Sequence, residues 1–433
     1  LILMLSACAQ QPSHREMQSK VSGEMLTLEA IYKDYAYDAK EPGQIRWLDD
    51  GTGYTALETV EAYRDVEPER DEEGDILKWA EDIVIYDPET LDSSILISAG
   101  QITPKGAEKA LTIDDYIFSE DRRKLLIYTN SDKVWRTKSR GDYWILDIES
   151  GNLWQLGGDE AEESSLQFAK FSPDATRVAY VREDDIYVQE LEDGSIEQIT
   201  TDASDTVING LFDWVYEEEF YCKDGFRWSP DGRKIAYWQL DTSAAQNFSI
   251  INNTDTLYPV ITRFPYPKVG EENSAARVGV VSLESKHTVW AKLPGIAKDM
   301  YIPRMAWAND ESTHLLVQHV NRKQDINHVY IVDVYSGDLT TVLVDKEEEF
   351  IEVYEDVTWL QEDGFTWISE RDGWRHIYRV SIDGKSIVDL TPGEFDITKM
   401  GAIDEAGGWV YFIASPENVT QRYLYRSRLD DSG

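Results

Sequence analysis

Cysteine is almost absent. Cys8 and Cys222 are the only two in 433 residues, which excludes a disulfide framework and any cysteine-ligated zinc module. Histidine is nearly as scarce, at six, and no HExxH pair or similarly spaced cluster occurs. No metal site and no cofactor are therefore expected from the motifs. No run of 18 apolar residues is present, so no membrane-spanning helix is expected. Positive charge is short as well: 42 Lys and Arg stand against 82 Asp and Glu, a net charge of −40. Nucleic acid is excluded as a partner, because nothing is left over to neutralise phosphates. Anionic lipid headgroups are disfavoured for the same reason, and a cationic group such as a peptide ammonium is favoured.

What is present points to a packed core. Hydrophobic residues make up 42% and aromatics 12%, too much for an acidic disordered chain. The first residues, Leu1 to Leu5, are apolar and give way to Ser6-Ala7-Cys8 and then Gln10-Gln11-Pro12-Ser13. This reads as the end of a signal h-region. Leu5-Ser6-Ala7-Cys8 resembles the bacterial lipobox, which implies lipidation at Cys8, residues 1–24 as signal remnant and polar tether, and a bacterial cell-envelope location. A lipid anchor at Cys8 would be the sole membrane contact. Neither Met nor a basic segment precedes Leu1, so more of the signal is expected upstream.

Residues 25–433 are organised by a recurring aromatic-turn-strand unit. Phe171-Ser172-Pro173-Asp174 leads into Arg177-Val178-Ala179-Tyr180-Val181, and Trp228-Ser229-Pro230-Asp231-Gly232 into Lys234-Ile235-Ala236-Tyr237-Trp238. Looser copies begin at Trp47, Phe118, Trp307, Trp359 and Ile403. Each copy ends one strand, turns at a Pro/Asp/Gly cluster and starts a strand rich in β-branched and aromatic residues. A unit of roughly 50 residues with about four strands suits a β-propeller blade. The expectation is an all-β chain with seven recognisable blades, seven to eight in the intact protein. Long spacings call for insertions near 60–80 and 246–275.

One segment is unlike a blade strand: Asp213-Trp214-Val215-Tyr216-Glu217-Glu218-Glu219. Three successive carboxylates between aromatics are costly if desolvated together. They suit either a solvated helix face or a site where two of them share a cation, since an ammonium has three donors and no acceptor. This segment, with Trp228-Ser229-Pro230-Asp231-Gly232 after it, resembles the double-Glu region of the dipeptidyl peptidase IV family, in the prolyl oligopeptidase superfamily. Asp185-Ile186-Tyr187-Val188, Phe264-Pro265-Tyr266-Pro267, Gly373-Trp374-Arg375-His376-Ile377-Tyr378 and Trp135-Arg136 extend the resemblance over about residues 25–430.

The resemblance implies a propeller joined to an α/β-hydrolase domain, in a serine exopeptidase that releases X-Pro or X-Ala dipeptides. It implies that Glu218 and Glu219 hold the substrate's α-ammonium and that Arg136 binds a substrate carbonyl. A guanidinium suits that task, being a fixed charge with several donors. Tyr216 and Trp214 read as packing residues, and Cys222 as a buried free thiol. No Gly-x-Ser-x-Gly elbow occurs in these 433 residues, so no catalytic residue is assigned in this chain and it is expected to be inactive alone. The nucleophile, and a C-terminal hydrolase partner domain, are expected from further sequence. A homodimer is also implied. A prolyl tripeptidyl peptidase, or a propeller lipoprotein that binds peptides without cleaving them, remain the alternatives.

Overall fold

The computed structural model describes residues 26–33, 36–37, 45–48, 50–60, 80–309, 311–355, 357–361 and 364–430. Cys8, the expected tether and most of the expected insertion near 60–80 lie outside the described residues. The chain divides into two compact units, Leu1–Ser98 and Ala99–Gly433.

The first unit holds a short helix α1 (Leu28–Tyr32) and a four-stranded antiparallel sheet of β1 (Arg46–Trp47), β2 (Tyr54–Thr59), β3 (Glu81–Tyr86) and β4 (Ser93–Ile97), in that order. Thr27 caps α1 by accepting from the Ala30 N–H, the ordinary duty of a threonine at a helix start.

In the second unit, β5 (Asp115–Phe118), β6 (Lys124–Lys133), β7 (Lys138–Asp147) and β8 (Leu153–Gln155) form one meander. A second follows: β9 (Leu166–Phe171), β10 (Arg177–Arg182), β11 (Asp185–Glu190) and β12 (Ile196–Gln198). The next sheet contains β13 (Val207–Asn209), β14 (Phe226–Trp228), β15 (Lys234–Asp241), β18 (Ala275–Ser282) and β19 (Thr288–Trp290), interrupted by helix α2 (Trp214–Phe220). The hairpin β16 (Asn247–Asn252) and β17 (Val260–Pro265) projects between β15 and β18, where the insertion near 246–275 was expected. Two four-stranded meanders come next: β20 (Met300–Trp307), β21 (His314–Asn321), β22 (Ile326–Asp333), β23 (Leu339–Lys346), then β24 (Trp359–Leu360), β25 (Gly364–Ser369), β26 (His376–Ser381), β27 (Ile387–Asp389). The final sheet has β28 (Ile397–Asp404), β29 (Trp409–Ala414) and β30 (Tyr423–Arg428).

Every one of the seven repeat signatures falls in the opening strands of a sheet. Trp47, Phe118, Phe171, Trp228 and Trp307 close β1, β5, β9, β14 and β20, Trp359 opens β24, and Ile403 lies near the end of β28. In three of them the turn has one mechanism. Ser172 Oγ donates to Asp174 Oδ1 at 2.6 Å and accepts from the Arg177 N–H at 3.0 Å. Ser119 with Asp121 and Lys124, and Ser229 with Asp231 and Lys234, repeat both bonds. A serine and an aspartate two residues apart thus satisfy the turn's polar groups locally.

Within this unit the sheets stack face to face. Ala179, Val181, Ile186 and Val188 of the β9–β12 meander pack with Phe226, Ile235 and Tyr237 of the next sheet. Val317 and Tyr330 pack with Trp238 and Val278, and Leu316 and Val329 with Phe365 and Val380. Central strands are covered on both sides, which is why Ile235-Ala236-Tyr237-Trp238 is buried throughout and reads as a continuous apolar run. Outer strands such as β12 are exposed.

One feature departs from separate four-stranded blades. β7 also pairs with β9, through Arg140 with Gln167 and Gly141 with Leu166, so the first two meanders of this unit join into one eight-stranded sheet. The cause is the length of β6 and β7, ten residues each. They run past their own meander as an arm, with register shifts near Asp132.

Candidate functional site

The arm ends at Val134-Trp135-Arg136-Thr137, closed by a Val134 N–H to Thr137 carbonyl bond of 3.2 Å. At its base the Tyr128 hydroxyl donates to the Arg140 carbonyl at 2.7 Å. Asn130 Nδ2 donates to Asp142 Oδ2 at 2.8 Å. These bonds hold the two strands together beyond the sheet.

Helix α2 carries the acidic cluster. Asp213 is its N-cap: Oδ1 accepts from the Tyr216 N–H at 3.1 Å, and Oδ2 from the Ser274 hydroxyl at 2.6 Å. Burial pushes the Asp213 carboxyl above its ordinary range, and the Ser274 and backbone donors hold that rise back. Tyr221 ends the helix in the left-handed region with φ 56°. Val215, Tyr216 and Phe220 face the core. The Tyr216 hydroxyl accepts from the Ile302 N–H at 3.0 Å, which makes Tyr216 a packing residue that also ties the helix to β20.

Successive helical positions are about 100° apart, so the three glutamates point in different directions. Glu218 turns to the arm: Arg136 Nη2 donates to Glu218 Oε1 at 3.0 Å. The arginine is 73% exposed and the glutamate 30%, so this pair sits in an open mouth. Glu219, the next residue of the helix, is exposed. Glu217 turns inward. Desolvation raises its carboxyl above the usual range, countered by Lys223, by the Thr137 hydroxyl and backbone of Arg136, and by the Arg136 charge. The arm tip and the helix therefore face each other through two neighbouring glutamates, one outward and one half-buried.

Aromatic rings frame the pair. Trp135 lies 4.8 Å from Phe264, and Trp214 4.4 Å from Tyr266, centroid to centroid. Phe248 of the projecting hairpin lies 5.3 Å from Tyr266. A cavity of about 150 Å³ opens among Trp135, Trp214, Glu217, Lys223 and Pro265. In the same unit, Lys170 reaches the Asp224 carboxylate and donates to the Phe226 carbonyl at 2.8 Å, with its ammonium 3.5 Å from the Phe226 ring centre.

Of the three residues singled out in the sequence, Arg136 and Glu218 meet, while Glu219 stands exposed at the next helical position. Glu217, Lys223 and the ring cluster were not singled out. The Phe264-Pro265-Tyr266-Pro267 run was the available signal, but only folding sets its rings against Trp135 and Trp214. Cys222 is buried and free. Its sulfur contacts the Pro303 carbonyl at 3.1 Å and Arg304 Nη1 at 3.2 Å.

The family model described as the dipeptidyl peptidase IV N-terminal region matches residues 119–433. Dipeptidyl peptidase 4 of Trichophyton tonsurans and that of Trichophyton equinum are each 27% identical over 374 residues, 83% of this chain and 47% of theirs. The crystal structure of Porphyromonas gingivalis dipeptidyl peptidase 4 superposes with a TM-score of 0.81 at 26% identity, covering 94% of this chain and 55% of that one. The chain spans about half the length of the curated relatives it matches.

Proposed function

The chain belongs to the dipeptidyl peptidase IV family, and on that premise we propose that it is the substrate-gripping region of a serine exopeptidase releasing X-Pro or X-Ala dipeptides. The seven meanders are read as propeller blades, with the arm tip and α2 at the mouth through which a peptide N-terminus enters. Glu218 and Glu219 take the α-ammonium, and Arg136 the carbonyl of the substrate's first residues. The observation that carries this reading is the Arg136–Glu218 pair, residues 82 apart in sequence, joined at 3.0 Å in an open site. Two carboxylates and one guanidinium leave a net negative mouth, suited to a peptide that presents an ammonium before a carbonyl. A cap of this kind limits how many residues fit before the scissile bond.

The nucleophile is to be sought outside these residues, because no Gly-x-Ser-x-Gly stands among them. Cys8 would anchor the protein to the cell envelope. A second copy of the chain is proposed to cover the β16–β17 hairpin, whose Ile250, Ile251, Val260 and Ile261 are each about half exposed, an apolar surface that a lone chain rarely leaves bare. The test is the mass of the product released by the intact protein from a peptide that begins X-Pro. A dipeptide supports the reading. A tripeptide would move the cap by one residue, and no cleavage would leave a binding module.

A further inference from the structure

The six histidines are scattered in sequence, yet the fold gathers one of them with two aspartates. Asp372 lies in the turn before β26, His376 opens β26, and Asp389 closes β27. His376 and Tyr378 share one face of β26, and Asp389 is the cross-strand partner of Tyr378, so all three side chains project to the same side. Asp372 Oδ2 lies 3.1 Å, and Asp389 Oδ2 3.2 Å, from His376 Nδ1. Among the described residues this is the one group of at least three His, Cys, Asp or Glu side chains whose ligand atoms all fall within 4.8 Å of one another.

The hydrogen bonds around the group fix its orientation. His376 Nε2 is 3.1 Å from the Phe395 carbonyl. A carbonyl accepts, so that nitrogen carries a proton, which leaves Nδ1 as the ring atom facing the two carboxylates. Each aspartate is held by its other oxygen: Asp372 Oδ1 accepts from the Trp374 N–H at 3.1 Å, and Asp389 Oδ1 from the Thr391 N–H at 2.9 Å. The free oxygens are thereby turned inward. A ring nitrogen anchored through its partner nitrogen to a carbonyl is the usual second-sphere arrangement of a metal-bound histidine.

The charge count also asks for a cation. Two carboxylates converging on one ring nitrogen call for a positive charge between them, from a proton on Nδ1 or from a metal ion. The nearby arginines are engaged elsewhere, Arg371 with Asp345 and Arg375 with Glu370. A proton on Nδ1 can point along one direction only. A dication satisfies all three donors at once. Moreover, the Tyr378 hydroxyl, on a residue only 4% exposed, is turned to Asp372, which engages it by hydrogen bond. Asp372 and Asp389 are the charges that act on it most strongly, so it too is aimed at this point.

We propose that Asp372, His376 and Asp389 form a structural site for a first-row dication of the zinc type, with the Tyr378 hydroxyl or a water as fourth ligand. Ligand bonds of about 2.0–2.1 Å at tetrahedral angles put donor atoms about 3.3 Å apart, close to the two separations found. His376 is fully buried, while Asp372 is 42% exposed and gives the ion a route in. The bound ion would pin the turn before β26 to β26 and β27. The sequence could not show this: Asp372 and His376 are four apart, but Asp389 comes from the next strand.

The test takes the intact protein, strips it with a chelator and titrates it with zinc chloride by calorimetry, with bound metal counted after gel filtration. Asp372→Asn and Asp389→Asn are compared, with Glu149→Gln as a control for loose binding to an acidic surface. One tight zinc per chain, weakened more than about tenfold in either aspartate variant and unchanged in the control, is expected. Zinc should also raise the thermal midpoint of the parent protein but not of Asp372→Asn. Equal uptake by parent and aspartate variants would overturn the site. So would a nitrogen NMR spectrum showing the His376 ring doubly protonated at saturating zinc.

Discussion

The Arg136 guanidinium and the Glu218 carboxylate, 3.0 Å apart, join the tip of a strand arm to a one-turn-plus helix across 82 residues of sequence. The arginine is mostly in water, so the pair adds little to stability. Its value lies in geometry: each group fixes the direction of the other, which under the proposed function is toward an incoming peptide.

If Glu218 grips the ammonium, Glu218→Gln in the intact protein removes one charge-assisted bond of about 1.5–3 kcal/mol. That corresponds to a loss of about 10- to 150-fold in kcat/KM on a Gly-Pro chromogenic substrate. Arg136→Ala should fall in the same range, and the double variant should lose less than the product of the two, because the groups are coupled. Full activity in Glu218→Gln would remove the assignment.

The helix is carried on a tight backbone crossing. Gly225 donates to the Gly210 carbonyl at 3.0 Å, and a Cβ on Gly225 would sit 2.6 Å from the Gly210 carbonyl carbon and 2.7 Å from the Leu211 nitrogen. Backbone cannot yield as a side chain can. Gly225→Ala should therefore destabilise by about 1–3 kcal/mol, read as a lower urea midpoint. An unchanged midpoint would mean the crossing is looser than it is drawn.

Lys170 gives a pH signature. Burial pulls its ammonium from 10.5 down to about 8, opposed by Asp224. A base with a lowered folded pKa binds fewer protons folded than unfolded between the two values, so stability rises with pH across that window. Relative to Lys170→Met, the parent protein should gain stability between about pH 8 and 10.5, by at most about 3 kcal/mol. Urea midpoints of both proteins across this range decide it, and a flat difference would contradict it.

Burial pushes the Cys222 thiol up to about 12, with Arg304 opposing, so the reactive thiolate is scarce at neutral pH. A disulfide reagent at pH 8 should leave Cys222 unmodified in the folded protein and label it after denaturation. Peptide mapping separates it from Cys8. Rapid labelling of the native thiol would show that the region around β20 opens readily.

Much of this could be read from the residues in order. In three of the seven aromatic-turn-strand units a serine and an aspartate two apart satisfy their own turn, whatever surrounds them. Local chemistry of that kind survives in sequence. The acidic run was legible as a candidate site because three adjacent glutamates between aromatics have few stable settings. The insertion near 246–275 was legible as excess length, and it is the β16–β17 hairpin.

Other features belong to the fold alone. The merging of two meanders through β7 and β9 depends on how far the arm runs past its sheet, which no local signal encodes. The division of labour among Glu217, Glu218 and Glu219 follows from the helical rotation between them and from where the arm tip lies. The meeting of Asp372, His376 and Asp389 requires strand pairing between β26 and β27. Sequence thus determined the repeating strands and the residue types of the acidic helix and the arm tip, because those rest on short-range turns and composition. Tertiary structure decided which charges face one another, because electrostatic partnership depends on distance in space and not along the chain.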